Sequence, residues 1–148
     1  MRKTHDILME TRAALPALTA SKERKNAALE AIAYQSADLM DAMIADCGSR
    51  PESLQVDGGA SANSFLMQFQ ADITGIPVIR PRVLETTALG AALLAGLGAG
   101  IYSSLEETTK IWQKDLEFTP RMDDATRLLN LKGWHDAVER SLGWAKQQ

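Results

Sequence analysis

The feature that most constrains the fold is a pair of adjacent glycines, Gly58 and Gly59, which joins a short apolar strand to an amphipathic helix. The strand is predicted over residues 53–56, the helix over residues 61–73, and a second strand over residues 77–80. Strand, helix and strand follow one another within the length of a right-handed βαβ crossover, so the two strands should lie parallel in one sheet. We therefore expect an α/β fold.

The glycine pair is also a candidate ligand site. Glycine has no Cβ, so the turn can adopt positive φ and let a flat ring or a phosphate approach the main chain. In open α/β sheets, ligands bind outside the carboxyl ends of the strands, which is where Gly58 and Gly59 lie. Asn63 is predicted in the first turn of the next helix, where unpaired N–H groups and the helix dipole favour anionic or acceptor-rich ligands. Taken alone, two glycines are also typical of a plain tight turn.

Helices are predicted on both sides of this unit. Apolar residues recur at steps of three and four over residues 22–45, which indicates one long amphipathic helix with Ser21 as its N-cap and Gly48 as its stop. Residues 87–100 are small or apolar on nearly every face, so we expect this helix to be buried, with a close subunit contact as the alternative.

The C-terminal part has a different character. Ser104 is expected to cap a helix that ends at residue 110 or 112. Beyond residue 120 an apolar stripe at helical spacing predicts a C-terminal amphipathic helix, formed by Leu128, Leu131, Trp134, Val138 and Leu142. We expect Trp134 and Trp144 to dock this helix onto the domain and His135, which lies between them, to remain on its surface.

Composition excludes several classes of protein. A net charge of −3 lacks the basic excess of a nucleic-acid binder. The single cysteine, Cys47, excludes an internal disulfide framework and a cysteine-based metal site. No apolar segment approaches the ~18 residues that cross a bilayer, and the first residues do not form a signal peptide. The expected compartment is therefore the cytoplasm.

Longer segments carry a specific resemblance. The segment DGGASANSFLMQFQADI at residues 57–73, followed by GIPV at 75–78, RP at 80–81 and ETTALGAALLAGL at 85–97, resembles the C-terminal half of bacterial glycerol kinases. These enzymes belong to the FGGY carbohydrate kinases. The FLMQFQ run separates glycerol kinases from xylulose and gluconate kinases, which share the double glycine. The resemblance is good over residues 26–120.

The resemblance implies an actin-like, ribonuclease-H-like ATPase fold that is only partly present. It implies that Gly58 and Gly59 line the adenosine side of a nucleotide cleft, that Ala60 forms its apolar floor, and that Asn63 contributes a side-chain hydrogen bond. The cofactor would be ATP or ADP with Mg²⁺, the metal being held by the nucleotide and by the family's N-terminal part. No residue here resembles the family's catalytic aspartate or polyol contacts, so we expect no catalytic residue and no metal ligand.

Three regions are predicted: a divergent and mobile leader at residues 1–21, a truncated nucleotide-binding domain at 22–120, and a C-terminal helix packed on that domain at 121–148. The function implied is the nucleotide-binding part of a glycerol kinase, inactive as an isolated chain. The alternative is a non-catalytic remnant or interaction module that keeps the fold. The expected partners are adenine nucleotide and either a chain supplying the N-terminal half or a second copy paired through an exposed sheet edge.

Overall fold

The computed structural model describes residues 22–142. In this part of the chain, five α-helices, one 3₁₀ turn and three strands follow one another as α1 (Lys22–Cys47), β1 (Leu54–Gln55), the 3₁₀ turn (Gly59–Ala62), α2 (Ser64–Thr74), β2 (Val78–Pro81), α3 (Thr86–Gly98), α4 (Leu105–Thr109), β3 (Lys114–Phe118) and α5 (Asp124–Ser141). None of these helices is both long and apolar enough to cross a membrane.

Helix α1 confirms the predicted long helix. It stops at Gly48, whose φ of +69° suits glycine and whose N–H donates to the carbonyl of Ile44 at 2.9 Å. The predicted N-cap, Ser21, lies outside the described residues. Ala33 and Ala37 are fully or almost fully buried on the side of α1 that packs on α2. Their small side chains allow the two helices to lie close together.

The sheet has the order β1-β2-β3. Its first two strands are parallel, with Leu54 opposite Val78, so the predicted βαβ unit is confirmed. Helix α2 begins later than predicted because residues 59–62, from the second glycine onward, form the 3₁₀ turn. It ends as expected at Gly75, which has a φ of +65°.

Strand β3 was not predicted. It runs antiparallel to β2, with Ile79 opposite Glu117, and a register irregularity at Arg80/Pro81. Four of its five residues are exposed, and only Phe118 is buried. Leu116 and Phe118 do alternate with Asp115 and Glu117, but the segment is short and only one of its residues is buried, so its signal is weak and the sequence analysis missed it.

The core lies between α1, α2 and the sheet. Its main cluster of buried side chains consists of Ala33, Leu66, Met67, Ala71, Val78 and Phe118. A smaller cluster joins α1, α2 and α5 through Ala37, Ile73 and Leu131. Helix α2 contributes to both clusters, so it is the central element of the fold.

Helix α3 differs from its prediction. We expected a buried helix, but Leu94 is 62% exposed and, within α3, only Gly96 is buried. Gly96 is covered by the ring of Tyr102, which leaves no room for a Cβ. The expectation that α3 is buried was wrong. Among the described residues, no other helix or strand packs extensively on α3.

Helix α5 docks on α1 through Trp134, as predicted, while Trp144 lies outside the described residues. The indole ring stacks on Tyr34 with a centroid distance of 5.4 Å, and its N–H donates to Oδ2 of Asp38 at 2.8 Å. His135 is exposed as expected, but its Nε2 lies 2.7 Å from Oδ1 of the same carboxylate. Asp72 on α2 holds the chain before α5, because its Oδ1 accepts from the N–H of Arg121 at 2.6 Å.

The contacts of Asp38 predict a pH-dependent link between α1 and α5. Partial burial raises the pKa of this carboxyl, but the hydrogen bonds from His135 and Trp134, and the charge of protonated His135, lower the pKa by more. A lowered folded-state pKa means that the stabilisation is complete above the unfolded value of about 3.9 and is lost as pH falls through the folded value.

We expect Asp38→Asn to lower the free energy of unfolding by about 1 kcal/mol at neutral pH. The difference from wild type should shrink as the pH is lowered below about 4, where the wild-type carboxylate also becomes protonated. Urea unfolding at a series of pH values measures it. Asp136→Asn is the matched control, since Asp136 forms an exposed ion pair with Lys132 on α5, the helix that carries His135 and Trp134. A pH-independent difference for Asp38→Asn would contradict the link.

Candidate functional site

The glycine turn is held by its own backbone. Gly58 has φ +75° and ψ 170°, a conformation that favours glycine. Its N–H donates to the carbonyl of Leu84 at 2.8 Å, and its carbonyl accepts from the N–H of Ser61 at 3.0 Å and from the Ser61 hydroxyl at 2.6 Å. Gly58 is therefore tied both to the chain before α3 and to Ser61 within the 3₁₀ turn.

Gly59 and Ala60 form an open shelf beside this anchor. Both residues are exposed, and a Cβ built on Gly59 would meet no atom within 4 Å. Gly59 does not have a positive φ, so its backbone would accept other residues without strain. Packing among the described residues would therefore allow a side chain at Gly59. The absence of a side chain there would let a ligand touch the main chain.

Asn63 occupies a different position from the one expected. It is the N-cap of α2 rather than a residue of its first turn, and its Oδ1 accepts from the N–H groups of Phe65 and Leu66 at 3.0 and 3.2 Å. These amides are therefore already paired and are not open to an anion. Within the described residues, Nδ2 of Asn63 makes no hydrogen bond, so the side chain can still donate to a ligand.

Asp57 connects the turn to the next helix. Its Oδ2 accepts a hydrogen bond from the hydroxyl of Thr86, the first residue of α3. A cleft of about 330 Å³ opens at this point, lined by Gln55, Val56, Asp57, Pro81, Thr86 and Trp112. A second cleft of about 390 Å³ shares Pro81 and Trp112 with the first. Neither is lined by the four predicted residues, but the first reaches the turn through Asp57.

The residues around the glycine turn are better suited to hold a ligand than to carry out a chemical step. Among residues 22–142, no group of three or more His, Cys, Asp and Glu side chains is placed to hold a metal ion. The open backbone at Gly59 and the free amide of Asn63 instead suit a flat, acceptor-rich molecule.

The sequence analysis did not identify three residues that lie at this site. Thr86 pairs with Asp57, Trp112 forms a wall of both clefts, and the guanidinium of Arg80 lies against the 3₁₀ turn. A charged residue between Ile79 and Pro81 at the end of a strand was a usable signal for Arg80. Trp112 precedes the unpredicted strand β3, so no sequence pattern placed it near the glycines.

Comparison with known proteins gives consistent matches. Residues 12–99 match the C-terminal domain of the FGGY family of carbohydrate kinases. The match begins inside the predicted leader, and the division of the chain at residue 21 stays a prediction. The chain is 51% identical over 142 residues to a glycerol kinase of Thermoanaerobacter pseudethanolicus, covering 94% of this chain. It is 52% identical over 120 residues to a glycerol kinase of Saccharolobus islandicus, covering 81% of this chain.

Solved structures agree with the sequence relatives. The crystal structure of Plasmodium falciparum glycerol kinase with ADP superposes with a TM-score of 0.66 at 37% identity, over 77% of this chain and 23% of that one. A xylulose kinase from Rhodospirillum rubrum superposes with a TM-score of 0.55 at 25% identity, again over 77% of this chain and 23% of that one. These are sugar kinases with the actin-like ATPase fold, so the predicted fold class is confirmed.

The match covers only part of the relatives. This chain spans 29% of the length of the Thermoanaerobacter enzyme and 24% of the Saccharolobus enzyme. The family match includes the βαβ unit, the glycine turn and α3. The chain therefore belongs to the FGGY family of carbohydrate kinases, of which it carries the C-terminal domain, with glycerol kinases among its relatives.

Proposed function

We propose that this chain is the nucleotide-binding C-terminal part of a glycerol kinase, the enzyme that transfers the γ-phosphoryl group of ATP to glycerol. In this role Gly58 and Gly59 bring the main chain against the adenosine part of the nucleotide. Ala60 contributes apolar contact, and Asn63 donates from Nδ2. Mg²⁺ is held by the phosphates and by the N-terminal part of the enzyme. The reaction takes place in the cytoplasm, a reducing compartment that suits the exposed thiol of Cys47.

The observation that carries this proposal is the open backbone at Gly59. The turn lies at the carboxyl end of β1, where ligands of open α/β sheets bind, and a Cβ at Gly59 would point into free space. Support also comes from the Plasmodium structure, a glycerol kinase with ADP that is 37% identical to this chain. Transfer itself also needs a base for the acceptor hydroxyl and charge neutralisation at the phosphates. The base and the groups that neutralise the phosphate charge would come from the N-terminal part of the enzyme.

The exposed apolar surface of α3 suits contact with a partner. This helix is small or apolar on nearly every face, yet Leu94 is 62% exposed. An N-terminal half, supplied by the same longer protein or by a second chain, would cover such a surface. Self-association through an outer edge of the sheet is the alternative, and it would leave a non-catalytic interaction module.

Thermal unfolding of the chain with and without millimolar Mg-ADP tests nucleotide binding. At about a hundred times its dissociation constant, the nucleotide should stabilise the fold by about 2.7 kcal/mol. That gain raises the unfolding midpoint by several degrees for a domain of this size. Mg-GDP at the same concentration serves as a control for the base, and MgCl₂ alone as a control for the metal.

A cooperative transition that Mg-ADP does not move would contradict nucleotide binding by this chain and would favour the non-catalytic module. A rise with Mg-ADP should be followed by mixing with the N-terminal part of a related glycerol kinase. Recovery of ATP-dependent glycerol phosphorylation in the mixture, and in neither part alone, would support the whole proposal.

A further inference from the structure

Arg80 is a largely buried cation close to the glycine turn. It lies in β2, and its side chain is only 12% exposed. Nε and Nη2 donate to the same oxygen of Asp115 on β3, at 3.0 and 2.8 Å. The guanidinium carbon also lies 5.6 Å from the ring centroid of Phe118. One end of the guanidinium is therefore held firmly by β3.

The other end of the guanidinium reaches the 3₁₀ turn. Nη1 lies 3.3 Å from the carbonyl oxygens of both Ser61 and Ala62, and 3.4 Å from the hydroxyl of Ser64. No backbone N–H of the described residues donates to these two carbonyls. Ser61 is 1% exposed, so its carbonyl depends on Arg80 for a protein partner.

We propose that Arg80, held by Asp115, is a positioning residue that keeps the glycine turn in the shape that binds nucleotide. The role in nucleotide binding rests on the proposed function. Asp115 orients the guanidinium, the guanidinium pairs the carbonyls of Ser61 and Ala62, and these carbonyls set the direction of the turn from Gly58 to Asn63. A turn that is already in place does not have to be ordered when the ligand arrives, which favours affinity.

The geometry explains why this position needs arginine. A guanidinium offers five donors in a fixed plane, so it can pair a carboxylate on one side and carbonyls on the other. A lysine has a single ammonium group and cannot span both sets of acceptors. We therefore expect Arg80→Lys to restore only part of what Arg80→Met removes.

The first experiment compares Arg80→Met with Arg82→Met. Arg82 is the matched control, since it also links this edge of β2 to the chain before β3, through a 3.0 Å hydrogen bond to Gln113, and its side chain has no hydrogen bond to the turn. Amide hydrogen exchange is measured at Ser61 and Asn63, whose N–H groups close the 3₁₀ turn. In Arg80→Met these amides should exchange about tenfold faster than in wild type, and in Arg82→Met they should not change.

The second experiment measures the dissociation constant of Mg-ADP for the same variants by calorimetry. Arg80→Met should bind about tenfold more weakly than wild type, while Arg82→Met should stay within about twofold. Asp115→Asn keeps the shape of the side chain but removes its charge, so it should show a smaller loss in the same direction. This variant keeps the comparison available if Arg80→Met does not fold.

The two readouts separate the possible failures. Unchanged exchange at Ser61 and Asn63 in both Arg80→Met and Asp115→Asn would overturn the positioning role. Faster exchange with unchanged Mg-ADP affinity would overturn its importance for the nucleotide. If the wild-type chain binds no Mg-ADP, the proposed function fails, and the exchange comparison still decides whether Arg80 shapes the turn.

Discussion

Gly59→Val is expected to weaken Mg-ADP binding about a hundredfold or more, a loss of at least about 2.7 kcal/mol. Its Cβ and methyl groups would occupy the open space that the ligand needs to reach the main chain. The ligand-free fold should be almost unaffected, because Gly59 does not have a positive φ and its side-chain position meets no neighbour. Calorimetric titration with Mg-ADP, together with the unfolding midpoint without ligand, measures both effects.

Gly58→Ala is the matched control, because substitution of this adjacent glycine should affect stability, whereas Gly59→Val should affect ligand binding. Gly58 has φ +75° and ψ 170°, so an alanine there is strained, at a cost of about 1–3 kcal/mol of stability. The two variants should therefore differ in their defects: Gly59→Val should lose affinity for Mg-ADP, and Gly58→Ala should lose stability. Wild-type affinity in Gly59→Val would rule out close approach of the nucleotide at this shelf.

Leu66→Ala is expected to cost about 3 kcal/mol of unfolding free energy, the largest effect on stability that we predict. Leu66 is 1% exposed at the centre of the cluster formed by α1, α2 and the sheet, so truncation leaves a cavity that rigid neighbours cannot fill. Denaturant unfolding monitored by tryptophan fluorescence and by circular dichroism gives the change.

Leu94→Ala removes the same atoms from an exposed position. Leu94 is 62% exposed on α3, so its truncation should change stability by less than about 0.5 kcal/mol in this chain. A similar loss for both leucines would mean that α3 is covered in solution, for example by self-association. In that case the loss at Leu94 should depend on protein concentration, which distinguishes a covering second copy from a different fold.

Local patterns were sufficient where each element carries its own signal. The apolar steps of α1, the stop at Gly48 and the glycine pair between strand and helix all predicted what the structure contains. The docking role of Trp134 was also predictable, since a large aromatic residue on the apolar stripe of a terminal helix needs a surface to cover it. Its partner, Asp38, lies 96 residues away in the chain and had no local signal.

The candidate site was only partly predictable, for a similar reason. Gly58, Gly59, Ala60 and Asn63 are contiguous enough to be recognised together. Asn63, however, was expected in the first turn of the helix beside unpaired amides, and in the structure it is the N-cap whose Oδ1 pairs those amides. Whether a helix begins at residue 61 or at residue 64 depends on a 3₁₀ turn, and element boundaries are the weakest part of any reading by pattern.

Sequence alone determined the family, the parallel βαβ unit and the position of the glycine turn, because each depends on residues that are neighbours in the chain. Tertiary structure decided what surrounds that turn. It placed Arg80 between Asp115 and the carbonyls of the 3₁₀ turn, joined Asp57 to Thr86, and added β3 to the sheet. The contact of Arg80 with Asp115 joins residues that are 35 positions apart, and such contacts form only when packing of the core brings the strands together.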